Sequence, residues 1–436
     1  MKRSCCIAAT LLVLVASGRA ISQDTDSMTV DEAVRMAIER HPLMQQASQA
    51  VRAARARVEQ SRSGYYPVID ASLSYTRIGP VPELSLPGFG QFKLYPEDNY
   101  DEHIALGQTI YDFGKTDAAV ELGRAGVESA HDNRALIRTD LAFQTIQSFY
   151  AILFLRRSIG VQDQQIRALG EHLSVTEKKS ETGSATDFDV LTTKVRIAAA
   201  INTRTDLMND LEKQLAAFRG LLDLPPRSVT RLRGEFDASS VAPNADSLIA
   251  LALSQRTELK QSRDAERTAA LQERVATLRD RPVLRANLEY GAKNGYIPNL
   301  DVQRGNWVLG VQASIPIFDG FQTSSAEREA RAGRRAAEAR TRQVERLVVT
   351  EVQQAMSDVQ TAAVKIETSK VQVEQANQAV DMARIRYESG VATNLDLIDA
   401  EAALAEARLS HLQSLYRYVM SRYALERAAG GNLEGH

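Results

Sequence analysis

After residue 22 the chain contains no cysteine; its two, Cys5 and Cys6, both lie before that point. The rest of the chain can therefore form neither a disulfide nor a thiolate metal site. Aromatic residues are 6% of the 436, with a single Trp, too few for a compact aromatic core. Beyond residue 22 no run of 18 apolar residues occurs, so no transmembrane helix is expected. The six His residues are scattered without a helical metal pair, and packing or surface roles suit them better than ligation. No local catalytic motif is present. Gly114-Lys115-Thr116 sits between a strand and a helix as a phosphate loop would, but Thr109 stands where that motif needs glycine. The expectation is a protein without cofactor, metal or chemistry of its own. An enzyme whose site is assembled from distant residues stays open as an alternative.

Lys2 and Arg3, an apolar run from Ile7 to Ala16, and Gly18-Arg19-Ala20 read as a secretory signal peptide over residues 1–22. A lipoprotein cysteine would follow the apolar run, and here both precede it, so no lipid anchor is expected. Without that segment the chain has 50 basic residues against 55 acidic ones, which gives no reason to expect nucleic acid as a partner. Ala, Gln, Arg, Glu, Leu and Val dominate, a composition of long helices and coiled coils.

The same turn is written twice: ETGSATDFDVL begins at residue 181 and ESGVATNLDLI at residue 388. The shared offset of 207 also aligns Ile110-Tyr111-Asp112 with Ile317-Phe318-Asp319. Upstream, Pro67-Val68 aligns with Pro282-Val283 and Asp31 with Asp246, at an offset of 215. The chain therefore reads as two repeats, 23–221 and 246–429, with a linker at 222–245 and a tail at 430–436. Each repeat predicts helix, strand, loop, strand, very long helix, turn, helix. The very long helices are expected near 115–181 and 322–389. In the second, Val352, Val359, Ile366, Val373, Val380 and Tyr387 step by seven. A row of small residues, Ala355, Ala362, Ser369, Ala376 and Ala383, lies three positions on. Ile152, Ile159, Ile166 and Leu173 repeat the step in the first. Such rows form a coiled-coil seam. Shorter helices are expected at about 29–62, 187–221, 246–280 and 394–428, and two end to end match one long helix.

Residues 69–76, 284–290 and 307–315 alternate apolar with polar side chains, and 103–110 does so less cleanly with Ile104, Leu106 and Ile110 on one face; the four segments predict strands. Loops are expected at 78–100 and 291–305. One reading is an amphipathic hairpin packed on a helix. The other is a membrane β-barrel with lipid on one face and water on the other. A barrel must close, and about eight strands is the practical minimum. Four per chain then require an oligomer, and a trimer sharing a 12-stranded barrel above a helical tube is the smallest that leaves a pore.

Several stretches together resemble the TolC-like outer-membrane efflux protein family over nearly the whole mature chain. They are Thr29-Val30-Asp31-Glu32-Ala33-Val34 with Ala37 and His41-Pro42, the corners Ile110-Tyr111-Asp112-Phe113-Gly114 and Ile317-Phe318-Asp319-Gly320, and the turn Arg386-Tyr387, Gly390, Thr393, Asp396-Leu397-Ile398-Asp399. His41 replaces the more usual Asn, and Ala392 stands where some relatives are basic. The resemblance implies a mainly helical homotrimer crossing the outer membrane and projecting into the periplasm. Its implied partners are outer-membrane lipid, a periplasmic adaptor and an inner-membrane transporter of the RND or ABC type. It further implies an acidic channel entrance at Asp396 and Asp399, with tip contacts near Tyr387 and Asp189.

Local physics reads the turns independently. Gly183 and Gly390 can end the long helices in the left-handed conformation. Thr186 and Thr393 can cap the next helices, answered by Asp189 and Asp396 three residues on. Small residues at these four positions would also let an adaptor hairpin approach the tips. Asp399 is not needed for a cap, and three copies of Asp396 and Asp399 would ring the tube's end. Trp307 begins a strand and reads as either a membrane-interface anchor or a packed aromatic. The function expected is passive export. A type I protein-secretion component is the alternative within the class, and a soluble periplasmic coiled-coil scaffold the alternative outside it.

Overall fold

The computed structural model describes residues 27–88, 90–228, 231–237, 245–431 and 433. The signal peptide read over 1–22, and parts of the linker and tail, lie outside the described residues. The chain opens with α1 (Val30–Arg40), whose first turn is closed by a capping box between Thr29 and Glu32. His41 ends α1 and Pro42 occupies the first position of α2 (Pro42–Arg62), where its missing N–H costs nothing. The helix expected over 29–62 is thus two helices. β1 (Val68–Arg77), β2 (Glu83–Leu86), β3 (Gly90–Lys93) and β4 (Asp98–Tyr111) follow, then α3 (Lys115–Glu181) and α4 (Asp187–Leu221). The remainder is α5 (Ala245–Gln255), α6 (Thr257–Thr277), β5 (Val283–Lys293), β6 (Arg304–Ser314), α7 (Gln322–Glu388) and α8 (Asn394–Ala428).

Each of α3 and α7 runs 67 residues, roughly 100 Å at 1.5 Å per residue. α3 packs on α2 and α4 along one side and on α6 and α8 along the other, and α7 packs on α6 and α8. The result is four helical rows, with α1 laid on α3 and α5 on α7. Two clusters at mid-height bind the rows together. One joins Ala33, Val34 and Ala37 to Phe149, Ile152, Phe218 and Val419. The other joins Val348, Val352, Ala355 and Val359 to Tyr418 and Leu425. Val352, Val359, Ala355 and Ala362 of the seven-residue rows lie in the second cluster, and Ile152 in the first.

The break between α5 and α6 has no proline. Arg256 is buried there, its guanidinium 2.9 and 3.0 Å from Glu258 and 2.8 Å from Glu351. It also donates to the Ala428 carbonyl at 3.2 Å. A buried guanidinium needs all such partners, and they come from three helices.

The four long strands form one antiparallel sheet in the order β1-β4-β5-β6. Its register carries Ile69 beside Leu106, Leu106 beside Leu288, and Leu288 beside Leu309. The same face holds Leu73, Tyr75, Tyr290 and Trp307, interrupted by Glu102 and Gln108. Asp70, Ser72, His103, Asn287, Glu289 and Gln312 occupy the other. Leu73 is 79% exposed and Trp307 70%, so the apolar face is uncovered, contrary to the reading of a hairpin packed on a helix. The segment expected as a loop at 78–100 instead contains a two-stranded ribbon, β2 with β3. Among the described residues, this ribbon adds two short strands to the four that were expected. Among the described residues no helix is long and apolar enough to cross a membrane.

The strand-to-helix corners are built by aspartates. Asp112 accepts from Gly114 N at 3.0 Å and from Thr116 N at 2.7 Å. Asp319 accepts from Thr323 N at 2.8 Å. These carboxylates occupy the N–H groups that a bound phosphate would need, which removes the physical basis for nucleotide binding at Gly114-Lys115-Thr116.

Candidate functional site: the helix tips

The two hairpin turns, α3 to α4 and α7 to α8, lie at the end of the molecule remote from the sheet. Gly183 has φ +72° and Gly390 φ +75°, a conformation that side chains with a Cβ rarely adopt. Each lets the following N–H groups fold back. Ser184 N reaches the Lys179 carbonyl at 2.7 Å and Val391 N the Arg386 carbonyl at 2.8 Å. Thr186 and Thr393 then cap α4 and α8. Asp189 accepts from Thr186 N at 2.9 Å, and Asp396 accepts from Thr393 N at 2.8 Å. Both threonine hydroxyls accept from the corresponding aspartate N–H at 3.2 Å. The hydrogen bonds from the Thr393 backbone and hydroxyl hold the exposed Asp396 carboxyl below the usual carboxylate range. Asp396 is thus a cap with one carboxylate oxygen committed.

Asp399 is placed differently. One turn further along α8, it meets Arg196 of α4 at 3.1 Å, and both side chains are exposed. Tyr387 is not a surface group: it is 7% exposed. Its hydroxyl lies 3.3 Å from Thr176 Oγ1. Its carbonyl accepts from Lys179 Nζ at 2.9 Å, and that ammonium sits 4.1 Å from its ring centroid. Beside it, the buried His172 places Nε2 2.5 Å from Asn394 Oδ1. Asn394 turns its Nδ2 to the Asp189 carbonyl at 3.0 Å. Thr193 completes the group, 3.3 Å from Asn394 Nδ2.

The α3–α4 turn is therefore tied to the α7–α8 turn by buried polar contacts inside and one exposed ion pair outside. Tyr387, the Asp189 carbonyl and Asp399 each enter the tie through a separate partner; the Asp189 and Asp396 carboxylates stay with their own caps. His172, Thr176, Lys179, Thr193, Arg196 and Asn394 escaped the sequence reading. Tyr387 itself closes the seven-residue row of α7, and its burial was legible there. With Ala at 392, Lys179 and Arg196 are basic groups that cross between the hairpins near the turns. Gly183, Thr186, Gly390 and Thr393 are exposed at the tip, and Phe188, Leu191, Val391 and Leu395 beside them are exposed apolar residues. Trp307 lies far away on the sheet, opposite Tyr290. Among the described residues no group of three or more His, Cys, Asp or Glu is placed to hold a metal.

The sequence model of the family described as outer membrane efflux protein matches residues 33–223 and 248–431. The chain belongs to that family. The alkaline protease secretion protein AprF of Pseudomonas aeruginosa is 24% identical over 428 residues, 94% of this chain and 86% of its own. The outer membrane protein TolC of Vibrio cholerae is 20% identical over 380 residues, 86% of this chain and 84% of its own. The crystal structure of the Campylobacter jejuni CmeC outer membrane channel superposes with a TM-score of 0.80 at 15% identity, covering 92% of this chain and 85% of that one. The fold is thus that of TolC-like channels, mainly helical with a few strands. Members of the family are outer-membrane efflux and secretion channels rather than enzymes.

Proposed function

We propose that the protein is the outer-membrane duct of a tripartite export system, a homotrimer whose twelve long strands close one barrel. The observation that carries this reading is the sheet. It has an uncovered apolar face, a polar face, and unpaired edges on β1 and β6. An open edge leaves backbone groups unsatisfied in hydrocarbon, so β6 of one copy pairs with β1 of the next. The helical plate has matching open margins. Phe188, Leu191 and Val195 on α4 and Val364, Val371 and Ile385 on α7 are exposed apolar stripes on its outer rows. A neighbouring copy covers both. The tube extends the barrel about 100 Å into the periplasm. Energy comes from an inner-membrane transporter of the RND or ABC type through an adaptor that meets the exposed tips at Gly183, Thr186, Gly390 and Thr393. On this reading Trp307 and Tyr290 lie on the lipid-facing side of the barrel.

The ties across the tip support a closed entrance that opens when the α7–α8 hairpin swings from α3–α4. Similarity to AprF favours one second reading, the outer component of a type I protein-secretion system, which differs only in cargo and transporter. Fractionation and crosslinked pull-down test the proposal. The mature chain should leave the outer membrane only with detergent, run as a trimer, and carry an adaptor and an inner-membrane transporter. A stable water-soluble monomer would overturn the proposal.

Asp399 should govern ion flow at the entrance. Asp399→Ala removes a carboxylate from each copy and frees Arg196, so planar bilayers should show raised conductance and weaker block by divalent cations. Asp396→Ala should chiefly loosen the α8 capping box, costing about 0.3–1.5 kcal/mol. Unaltered conductance and block in the Asp399 variant would dismiss the acidic-ring role and leave the duct reading standing.

A further inference from the structure

We propose that His172 makes the closed tip a proton-sensitive seal, so that an acidified periplasm loosens the duct entrance. The inference rests on the reading of the tip as a gate. Because Asn394 directs Nδ2 at the Asp189 carbonyl, its Oδ1 faces His172, and His172 Nε2 is the donor. The remaining nitrogen, Nδ1, is where a proton would add. Thr176 Oγ1 also lies 3.4 Å from Nε2, and its hydroxyl donates to the His172 carbonyl at 3.0 Å. The Tyr387 ring stands edge-on to the imidazole, 4.9 Å between centroids. His172 thus touches both residues that hold α7 and α8 against α3, and it does so while buried.

The charges around it decide the sign. α3 presents Lys179, α7 presents Arg384 with the neutral Tyr387, and α8 presents Glu401 with the neutral Asn394. α4 reaches the group only through the neutral Thr193. Burial is the largest influence and pushes His172 below its ordinary 6.5; Lys179 and Arg384 push the same way, against the Asn394 hydrogen bond and Glu401. Glu401 is 3.2 Å from Arg384, so its charge is already partly spent. An imidazolium is therefore costlier in the closed tip than in an open, hydrated one. The closed state keeps its full advantage above about pH 6.5 and loses it as the pH falls through the lower closed-state value. Each pH unit between the two values is worth about tenfold in the open-to-closed ratio of a protomer.

The experiment is conductance in planar bilayers from pH 7.5 to pH 5, using the full-length trimer. Wild type should open progressively as the pH falls below about 6.5. His172→Gln keeps a neutral donor toward Asn394 and should lose most of that rise. A second titrating pair lies in the upper body. There Asp264 is raised to about 6, chiefly by its hydrogen bond with Asp132, and Asp132 holds Lys260 at 2.8 Å. Asp264→Asn should keep the wild-type response. Glu401→Gln withdraws the anion that favours the imidazolium, which makes the charged closed tip costlier still and should enlarge the rise in conductance at pH 5. A flat wild-type profile, or a His172→Gln profile as steep as wild type, overturns the inference. Asn394→Ala, which severs the tie at every pH, reports on the gate separately. If it fails to raise conductance at pH 7.5, the gate reading falls with it. If it does raise conductance while His172→Gln stays acid-responsive, only the role of His172 is lost.

Discussion

Leu309→Arg should abolish assembly in the outer membrane. Leu309 is the central residue of β6, and the register aligns it with Leu288, Leu106 and Ile69 on the face that also carries Leu73 and Trp307. In the proposed barrel this row lies near the membrane midplane. A charge there costs roughly 2–4 kcal/mol on a lipid-facing strand, and a trimer incurs it three times, about 6–12 kcal/mol in all. A loss of that size is comparable with the whole stability of an ordinary folded domain. Leu309 is also on an edge strand, so the penalty falls where one copy must join the next. Gln312→Arg, three residues on and facing the other way, should assemble normally and change only ion flow. Heat-modifiable trimer in the outer-membrane fraction measures both. Normal trimer from the Leu309 variant, with loss in the Gln312 variant, would mean that the two faces are assigned the wrong way round.

Much of this architecture was legible in the sequence because it is written in local periodicity. The alternation of Leu284, Ala286, Leu288 and Tyr290 names a face whatever the strand pairs with. The seven-residue step from Val352 to Tyr387 names a seam without naming the partner helix. Thr393 and Asp396, three apart, make a capping box from their own backbone. What was missed depends on partners distant in sequence. The α5–α6 break is held by Arg256, whose partners Glu351 and Ala428 arrive from elsewhere. The β2–β3 ribbon has four-residue strands, too short for alternation to stand out among prolines. At the tip, His172 meets Asn394, 222 positions away, and Arg196 meets Asp399, 203 away. Polar residues at such places read as solvated until the fold buries them. The one local trace was His172 and Thr176, four apart on the helix facing the seam.

That buried cluster leads to the other large effect, from Asn394→Ala combined with Arg196→Ala. Asn394 carries the contacts to His172, Asp189 and Thr193; Arg196 carries the ion pair to Asp399. The exposed pair is worth little alone, about 0–1 kcal/mol. The buried amide matters more. Losing it strips the 2.5 Å partner from the buried His172, at about 1–3 kcal/mol for a buried group left unsatisfied, while the Asp189 carbonyl keeps the Thr193 hydroxyl at 2.8 Å. An open entrance would let water reach His172, so the cost falls on the closed state and the balance moves toward opening. About 1.4 kcal/mol is tenfold in such a balance, and three protomers contribute, so the double variant should hold the duct open. Single-channel conductance should rise at least tenfold in the time-averaged current, and cells should admit large antibiotics that wild-type cells exclude. Asp189 and Asp396 keep their caps in this variant, so α4 and α8 should retain their helical signal. An unfolded tip would separate from an opened one by that signal. A folded double variant with wild-type conductance would show that these ties fasten a rigid end rather than a gate.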